Sequence, residues 1–186
     1  VTRALLQDGW YRFAQCAASP NFDARPADAV IDLLVIHCIS LPPGEYGGSA
    51  IDDLFHNRLD CDAHPYFDGL RGLRVSSHFL IRRDGALRQY VGCDDRAWHA
   101  GVSCFDGRER CNDFSIGIEL EGIEGGMFEA AQYDSLHALV AALTAAYPLR
   151  AAASHRYIAP DRKGDPGDGF DWPRLARPFP QLRCFA

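Results

Sequence analysis

The chain has 186 residues, 47% of them hydrophobic and 24% charged, with a net charge of −6. That length and apolar share suit one globular domain, residues 1–186, with a core of its own. The acidic balance and the lack of a basic run exclude general nucleic-acid binding, which needs a basic face against phosphate, and the longest apolar stretches fall far short of the about 20 residues of a membrane span.

The opening VTRALLQDGWYRFAQ carries Asp8 and lacks an apolar h-region, so it does not read as a secretory signal. Residues 20–30 read as an irregular lead-in. Residues 31–39 predict a strand buried on both faces, because the apolar run is rich in Val and Ile. A Pro-Pro-Gly turn follows, and Ser49 is placed to cap a short helix through Phe55. CDAHPYFDGLRG reads as a polar loop. Val75–Arg82 and Ala86–Val91 predict a hairpin around Arg83-Asp84-Gly85.

Ser115–Glu121 shows the cleanest alternation in the chain. Ile116, Ile118 and Leu120 share one face; Ser115, Gly117, Glu119 and Glu121 share the other. Ala130–Tyr147 predicts an amphipathic helix, with Tyr133, Leu136, Val140, Leu143 and Tyr147 on one stripe and Pro148 as its stop. Ala151–His155 predicts a short strand, and Asp171-Trp172-Pro173 begins a last helical turn or two. Strands mixed with helices, one hairpin included, predict a mixed sheet covered by helices rather than a doubly wound parallel sheet.

Seven cysteines (Cys16, Cys38, Cys61, Cys93, Cys104, Cys111 and Cys184) are odd in number and form no CxxC pair. They predict reduced thiols in a reducing compartment, hence a soluble cytoplasmic protein. Among the histidines, His56, His64, His78 and His137 read as loop, helix-end or core residues. His37 and His155 differ: each ends a predicted strand just before a loop, where a rigid element aims a side chain into open space. With Asp165 they form a common ligand set for a catalytic zinc, although long-range sets of this kind also arise by accident. Glu119 and Glu121 read either as the solvent side of an edge strand or as carboxylates on a pocket floor, one of them a general base. Lys163, two residues before Asp165, is either an exposed lysine or an oxyanion stabiliser. Trp98 either stacks on a sugar ring or packs under its loop. The arginines of Arg108-Glu109-Arg110 either bind carboxylates or are solvated.

Six segments in order, IHCISLPPGEYGG, AHPYF, VSSHFLIRRDG, RAWHAGVS, GRERCNDFSIGIELEG and IAPDRKGDPG, resemble the AmpD family of bacterial N-acetylmuramoyl-L-alanine amidases over about residues 9–175. The resemblance implies an α/β (α+β) fold, a single mixed β-sheet flanked by helices, shared with peptidoglycan recognition proteins. It implies one Zn2+ per chain on His37, His155 and Asp165, with Glu119 and Lys163 as catalytic residues. It also implies that Tyr66, Arg74, Trp98 and Arg110 bind the substrate. The expected substrate is a 1,6-anhydro-N-acetylmuramoyl peptide, a muropeptide of cytoplasmic peptidoglycan recycling. The expected state is a monomer without nucleic-acid or membrane partners.

Cys38 stands where the family usually has asparagine, and Ser154 where it usually has glycine. Arg156-Tyr157 also departs from the usual small or polar pair. These bear on substrate preference rather than on zinc. Two rivals remain: a non-catalytic muropeptide-binding module, and a cysteine hydrolase built on Cys38. Retention of all five metal and catalytic residues opposes the first; the second has no recognisable third group to orient its histidine.

Overall fold

The computed structural model describes residues 5–186. Seven strands make one sheet: β1 (Gln15–Cys16), β2 (Leu33–Ile39), β3 (Phe79–Ile81), β4 (Leu87–Gln89), β5 (Ser115–Glu121), β6 (Ala151–Ser154) and β7 (Arg183–Phe185). Their spatial order is β7-β6-β2-β5-β3-β4-β1. The five strands from β7 to β3 run parallel, β4 turns back on β3, and β1 runs parallel to β4. The mixed sheet matches the sequence expectation. The hairpin does too, with a shorter ladder than the alternation suggested. At its turn Gly85 has φ +85°, and a Cβ there would meet the Ala131 carbonyl at 2.8 Å, so only glycine fits.

The even residues of β2 and β5 (Leu34, Ile36, Ile116, Ile118, Leu120) pack on helix α2 (Ala130–Ala146) through Leu136, Leu139, Val140 and Leu143. Tyr147 has already turned extended ahead of Pro148, which ends the helix one residue earlier than the pattern predicts. Gln132 pins the helix start, donating to the carbonyls of Ile81 and Glu121 at 3.1 Å each.

The opposite face carries Leu33 and Val35 against Phe105, Phe114 and Ile158. Further along it, Leu80 and Tyr90 pack on Ile51, Leu54 and Phe55 of helix α1 and its flanks. Helix α1 spans Ala50–Phe55; Ser49 stands at its start but makes no side-chain cap. Two more helices follow, α3 (His155–Ile158) and α4 (Trp172–Ala176), the latter capped by Asp171 accepting from Arg174 N–H. Among the described residues no helix is long and apolar enough to cross a membrane.

Several elements were not expected, among them the following. Phe22–Ala24, in the supposed irregular lead-in, pairs with Asp95–Ala97. Pro65–Leu70 forms a 3-10 helix whose start is capped by His64 Nδ1, which accepts from Tyr66 N–H. Arg183–Phe185 adds an edge strand beside Ala151–Ala153. Strand β5 itself lies at the centre of the sheet and is buried throughout, so the edge-strand reading of its polar face does not hold.

That polar face is covered, in part, by ion pairs. Arg82 donates at 2.7 Å to both Asp52 and Glu121; Arg88 also donates to Asp52, and the Tyr90 hydroxyl bonds Asp52 at 2.7 Å. Removing Arg82 would leave the buried Glu121 carboxylate without its cation and Asp52 with Arg88 alone. Arg82→Ala is expected to lower the unfolding free energy by about 3–5 kcal/mol, measured by urea denaturation.

Candidate metal centre and catalytic cleft

The parallel register sets His37 of β2 opposite Glu119 of β5, and Ser154 of β6 opposite Ile36. Adjacent strands lie about 4.8 Å apart, so His37, Glu119 and His155 meet at the carboxyl ends of three neighbouring strands. Crevices at such ends are where open α/β sheets bind ligands. Ser154 Oγ accepts from Tyr157 N–H at 2.8 Å and caps the single turn that carries His155. The residue that departs from the family pattern thus fixes the turn behind a ligand histidine.

His37 Nδ1 and His155 Nδ1 lie 3.0 Å apart, and Asp165 Oδ2 is 3.1 Å from the first and 3.2 Å from the second. Among the described residues this is the cluster able to hold a metal ion. Four-coordinate zinc with bonds of about 2.0–2.2 Å spaces its ligand atoms roughly 3.3 Å apart, close to what is seen. Burial, with His155 beside it, pushes His37 down to about 4, so its ring is in the neutral form that ligates. His155 Nε2 faces the Ala100 carbonyl at 3.1 Å. A carbonyl only accepts, so Nε2 donates there, and the tautomer with its single proton at Nε2 turns the Nδ1 lone pair toward Asp165 and His37. A bare imidazole nitrogen and a carboxylate oxygen at this distance repel unless a cation lies between them. The residues present fit zinc.

A cleft of about 490 Å³ opens over the cluster. Leu41 and Pro43 of the Pro-Pro-Gly loop form one wall, and Glu119, Lys163, Tyr66 and Trp98 also line it. Glu119 is 8% exposed, and its Oε2 has no hydrogen-bond partner among the described residues. Burial, and next the Asp165 carboxylate, raise its pKa well above the ordinary glutamate range, against the opposing pull of Lys163. Glu121, two residues on, is fully engaged: it accepts from Arg82, Gly47 N–H and Arg83 N–H. Of the two carboxylates, Glu119 is the one left unengaged.

Trp98 is held by its Nε1–H donating to Asp23 at 3.2 Å; Asp23 and Asp113 both pair with Arg96, and Asp113 pairs with Arg110 at 3.2 Å. Arg110 is exposed and lies outside the cleft lining. Arg74 borders a second, smaller cavity that shares Leu54, Leu70 and Leu73 with the cleft. The structure therefore brings together seven of the nine expected residues and leaves the two arginines at its periphery.

Cys38 faces the helix α2 side of the sheet, its Sγ 3.9 Å from the Pro166 carbonyl, and burial pushes the thiol up. It is outside the ligand cluster, and nothing in its surroundings stabilises a thiolate. One cleft residue was missed. His99 Nδ1 lies 2.9 Å from His37 Nε2, and the ring fills the space above Gly117. Burial holds His99 and His78 well below the usual histidine range, so both are neutral. Gly117, a residue without a side chain on the polar face of β5, was the one available signal, and an imidazole fills the space it leaves.

The family profile described as N-acetylmuramoyl-L-alanine amidase matches residues 27–168. The 1,6-anhydro-N-acetylmuramyl-L-alanine amidase AmpD of Citrobacter freundii is 56% identical over 173 residues, 92% of each chain. A crystal structure of a selenomethionine AmpD derivative superposes with a TM-score of 0.89 at 52% identity, covering 96% of this chain and 99% of that one. The Escherichia coli amidase AmiD, in complex with anhydro-N-acetylmuramic acid-L-Ala-D-γ-Glu-L-Lys, matches with a TM-score of 0.58 at 32% identity, over 82% of this chain and 60% of that one. The chain belongs to the N-acetylmuramoyl-L-alanine amidase family and, within it, to the AmpD group.

Proposed function

We propose that this amidase hydrolyses the bond between the lactyl carbonyl of 1,6-anhydro-N-acetylmuramic acid and the nitrogen of L-alanine, with one zinc ion per chain. The observation that carries the metal reading is the convergence of His37 Nδ1, His155 Nδ1 and Asp165 Oδ2 within 3.2 Å of one another. The names of the relatives and the ligand held by AmiD support the substrate.

His37, His155 and Asp165 would hold the zinc, which would supply a Lewis acid for the scissile carbonyl and lower the pKa of the attacking water. Glu119, on the cleft floor with a free carboxylate oxygen, takes the proton from the attacking water and returns it to the departing nitrogen. The Lys163 side chain lines the same cleft and stabilises the oxyanion that develops on the carbonyl oxygen. The exposed ring of Tyr66 and the braced indole of Trp98 offer apolar faces for the sugar. Arg74 and Arg110, at the periphery, are cations for the free carboxylates of the peptide. Seven unpaired cysteines support action in a reducing compartment, as cytoplasmic turnover of muropeptides requires. The full ligand set comes from one chain, which supports a monomer as the active unit.

Three outcomes follow. Incubation with 1,6-anhydro-N-acetylmuramoyl tripeptide should release free tripeptide, read by mass spectrometry, with loss on chelation and recovery on adding zinc. Glu119→Gln should keep its zinc yet lose about 10²–10⁴-fold in kcat. An intact substrate with zinc-loaded wild type would refute the hydrolytic reading. Stability should move the other way. The folded-state pKa of Glu119 is raised, so its contribution is fully present below the unfolded value and lost as pH rises through the folded one. Zinc-free Glu119→Gln should therefore unfold at a higher temperature than zinc-free wild type at pH 8, and the gap should shrink as pH falls toward the ordinary glutamate range.

A further inference from the structure

His99 is a half-buried imidazole on the cleft wall that the hydrolytic scheme does not use. Its Nδ1 lies 2.9 Å from His37 Nε2, and its Nε2 lies 3.2 Å from Ser115 Oγ. Ser115 Oγ in turn donates to the Cys111 carbonyl at 2.6 Å. A carbonyl only accepts, so the Ser115 proton is committed there and the hydroxyl receives its other bond from His99 Nε2–H. With Nε2–H given to Ser115, the His99 tautomer that completes the chain turns its Nδ1 lone pair to His37 Nε2–H at 2.9 Å. His37, donating through Nε2, then presents its Nδ1 to His155 and Asp165. Every bond direction along this chain is consistent with the carbonyl at its end.

The ring is held from several sides. Asn112 Oδ1 accepts from His99 N–H at 3.1 Å and from Ala100 N–H at 2.8 Å. The His78 ring stands edge-on at 5.6 Å. Across the strand, Gly117 leaves the necessary room: a Cβ there would lie 2.6 Å from His99 Cγ. The next residue of the same clamped segment, Ala100, offers its carbonyl to His155 Nε2. Both imidazole ligands thus take their outer hydrogen bonds from adjacent residues.

We infer that the His99–Ala100 segment, clamped by Asn112 and seated over Gly117, is the positioning element of the metal centre, fixing both ligand histidines with Nδ1 bare and aimed at the ion. His99 touches neither the ion nor the reacting atoms; it acts through His37. This inference rests on the zinc reading above. Outer partners of ligand histidines are commonly worth about 10- to 100-fold in metal affinity, which sets the expected effect.

The test has two arms. In the first, zinc affinity is measured by competition with a chelator. His99→Phe, which keeps a ring but no acceptor, should bind zinc about 10- to 100-fold more weakly than wild type. Gly117→Ala, which displaces the ring without touching it chemically, should weaken binding in the same direction. His99→Gln, which restores an acceptor, should recover part of the loss. The second arm uses the zinc-loaded wild-type chain and does not depend on any variant folding. Nitrogen-15 NMR should show His37 protonated at Nε2, with scalar coupling across the hydrogen bond to an unprotonated His99 Nδ1. Unchanged affinity in both His99→Phe and Gly117→Ala, or a proton on His99 Nδ1, would overturn the inference and leave the zinc reading intact. A wild-type chain that binds no zinc would overturn the zinc reading and this inference with it.

Discussion

The parallel pairing of Leu33–Ile39 with Ser115–Glu121 sets His37 level with Glu119, and nearly everything about the site depends on that register. A slip of one residue would turn every side chain of one strand to the other face. His37 would then point at helix α2, and Leu120 would take the place of Glu119 in the cleft. The register is held by apolar side chains on both faces of Leu33–Ile39 and on one face of Ser115–Glu121, strands buried along nearly their whole length. Strand Ala151–Ser154 extends the same ladder and delivers His155 one residue past its end. The metal cluster is thus a product of sheet geometry, with only Asp165 supplied by a loop.

The four polar-face positions of Ser115–Glu121 show how a buried strand tolerates such residues. Ser115 is consumed by His99 and the Cys111 carbonyl. Gly117 has no side chain, and an imidazole occupies the space. Glu121 is neutralised by Arg82 and by two backbone N–H groups. Glu119 alone is left with an unpartnered oxygen. An orphaned buried carboxylate costs stability, and here it opens into the cleft, beside the ligands. Function and stability oppose each other at this one position.

Much of this was legible in the sequence, for physical reasons that can be named. His37 and His155 stand out because each follows a strand pattern and precedes a break. The period-2 alternation of Ser115–Glu121 identifies its two faces. The same alternation could not say whether the strand was central or peripheral, because centrality depends on pairing with distant segments. Nor could it separate Glu119 from Glu121: the difference lies in the reach of Arg82, 37 and 39 residues away along the chain. Resemblance to a family implied a distinction between them; the geometry shows Glu121 engaged by Arg82 and Glu119 with an unpartnered oxygen. His99 was hidden because its role arises only when Trp98–Ala100 folds over Gly117. Phe22–Ala24 and Arg183–Phe185 are too short for any periodicity to register.

The departures from the family pattern also acquire physical content. Ser154 caps the turn that carries a ligand. Cys38 packs toward the helix α2 side of the sheet, its Sγ against the Pro166 carbonyl, and is not one of the three cluster residues. The central claim is that two imidazoles and a carboxylate, without sulfur, hold the ion. X-ray absorption at the zinc edge of the metal-loaded protein tests it most directly. The account predicts a first shell of nitrogen and oxygen at about 2.0–2.2 Å, with the multiple-scattering signature of two imidazoles. A sulfur shell at about 2.3 Å would place Cys38 on the metal and contradict the account.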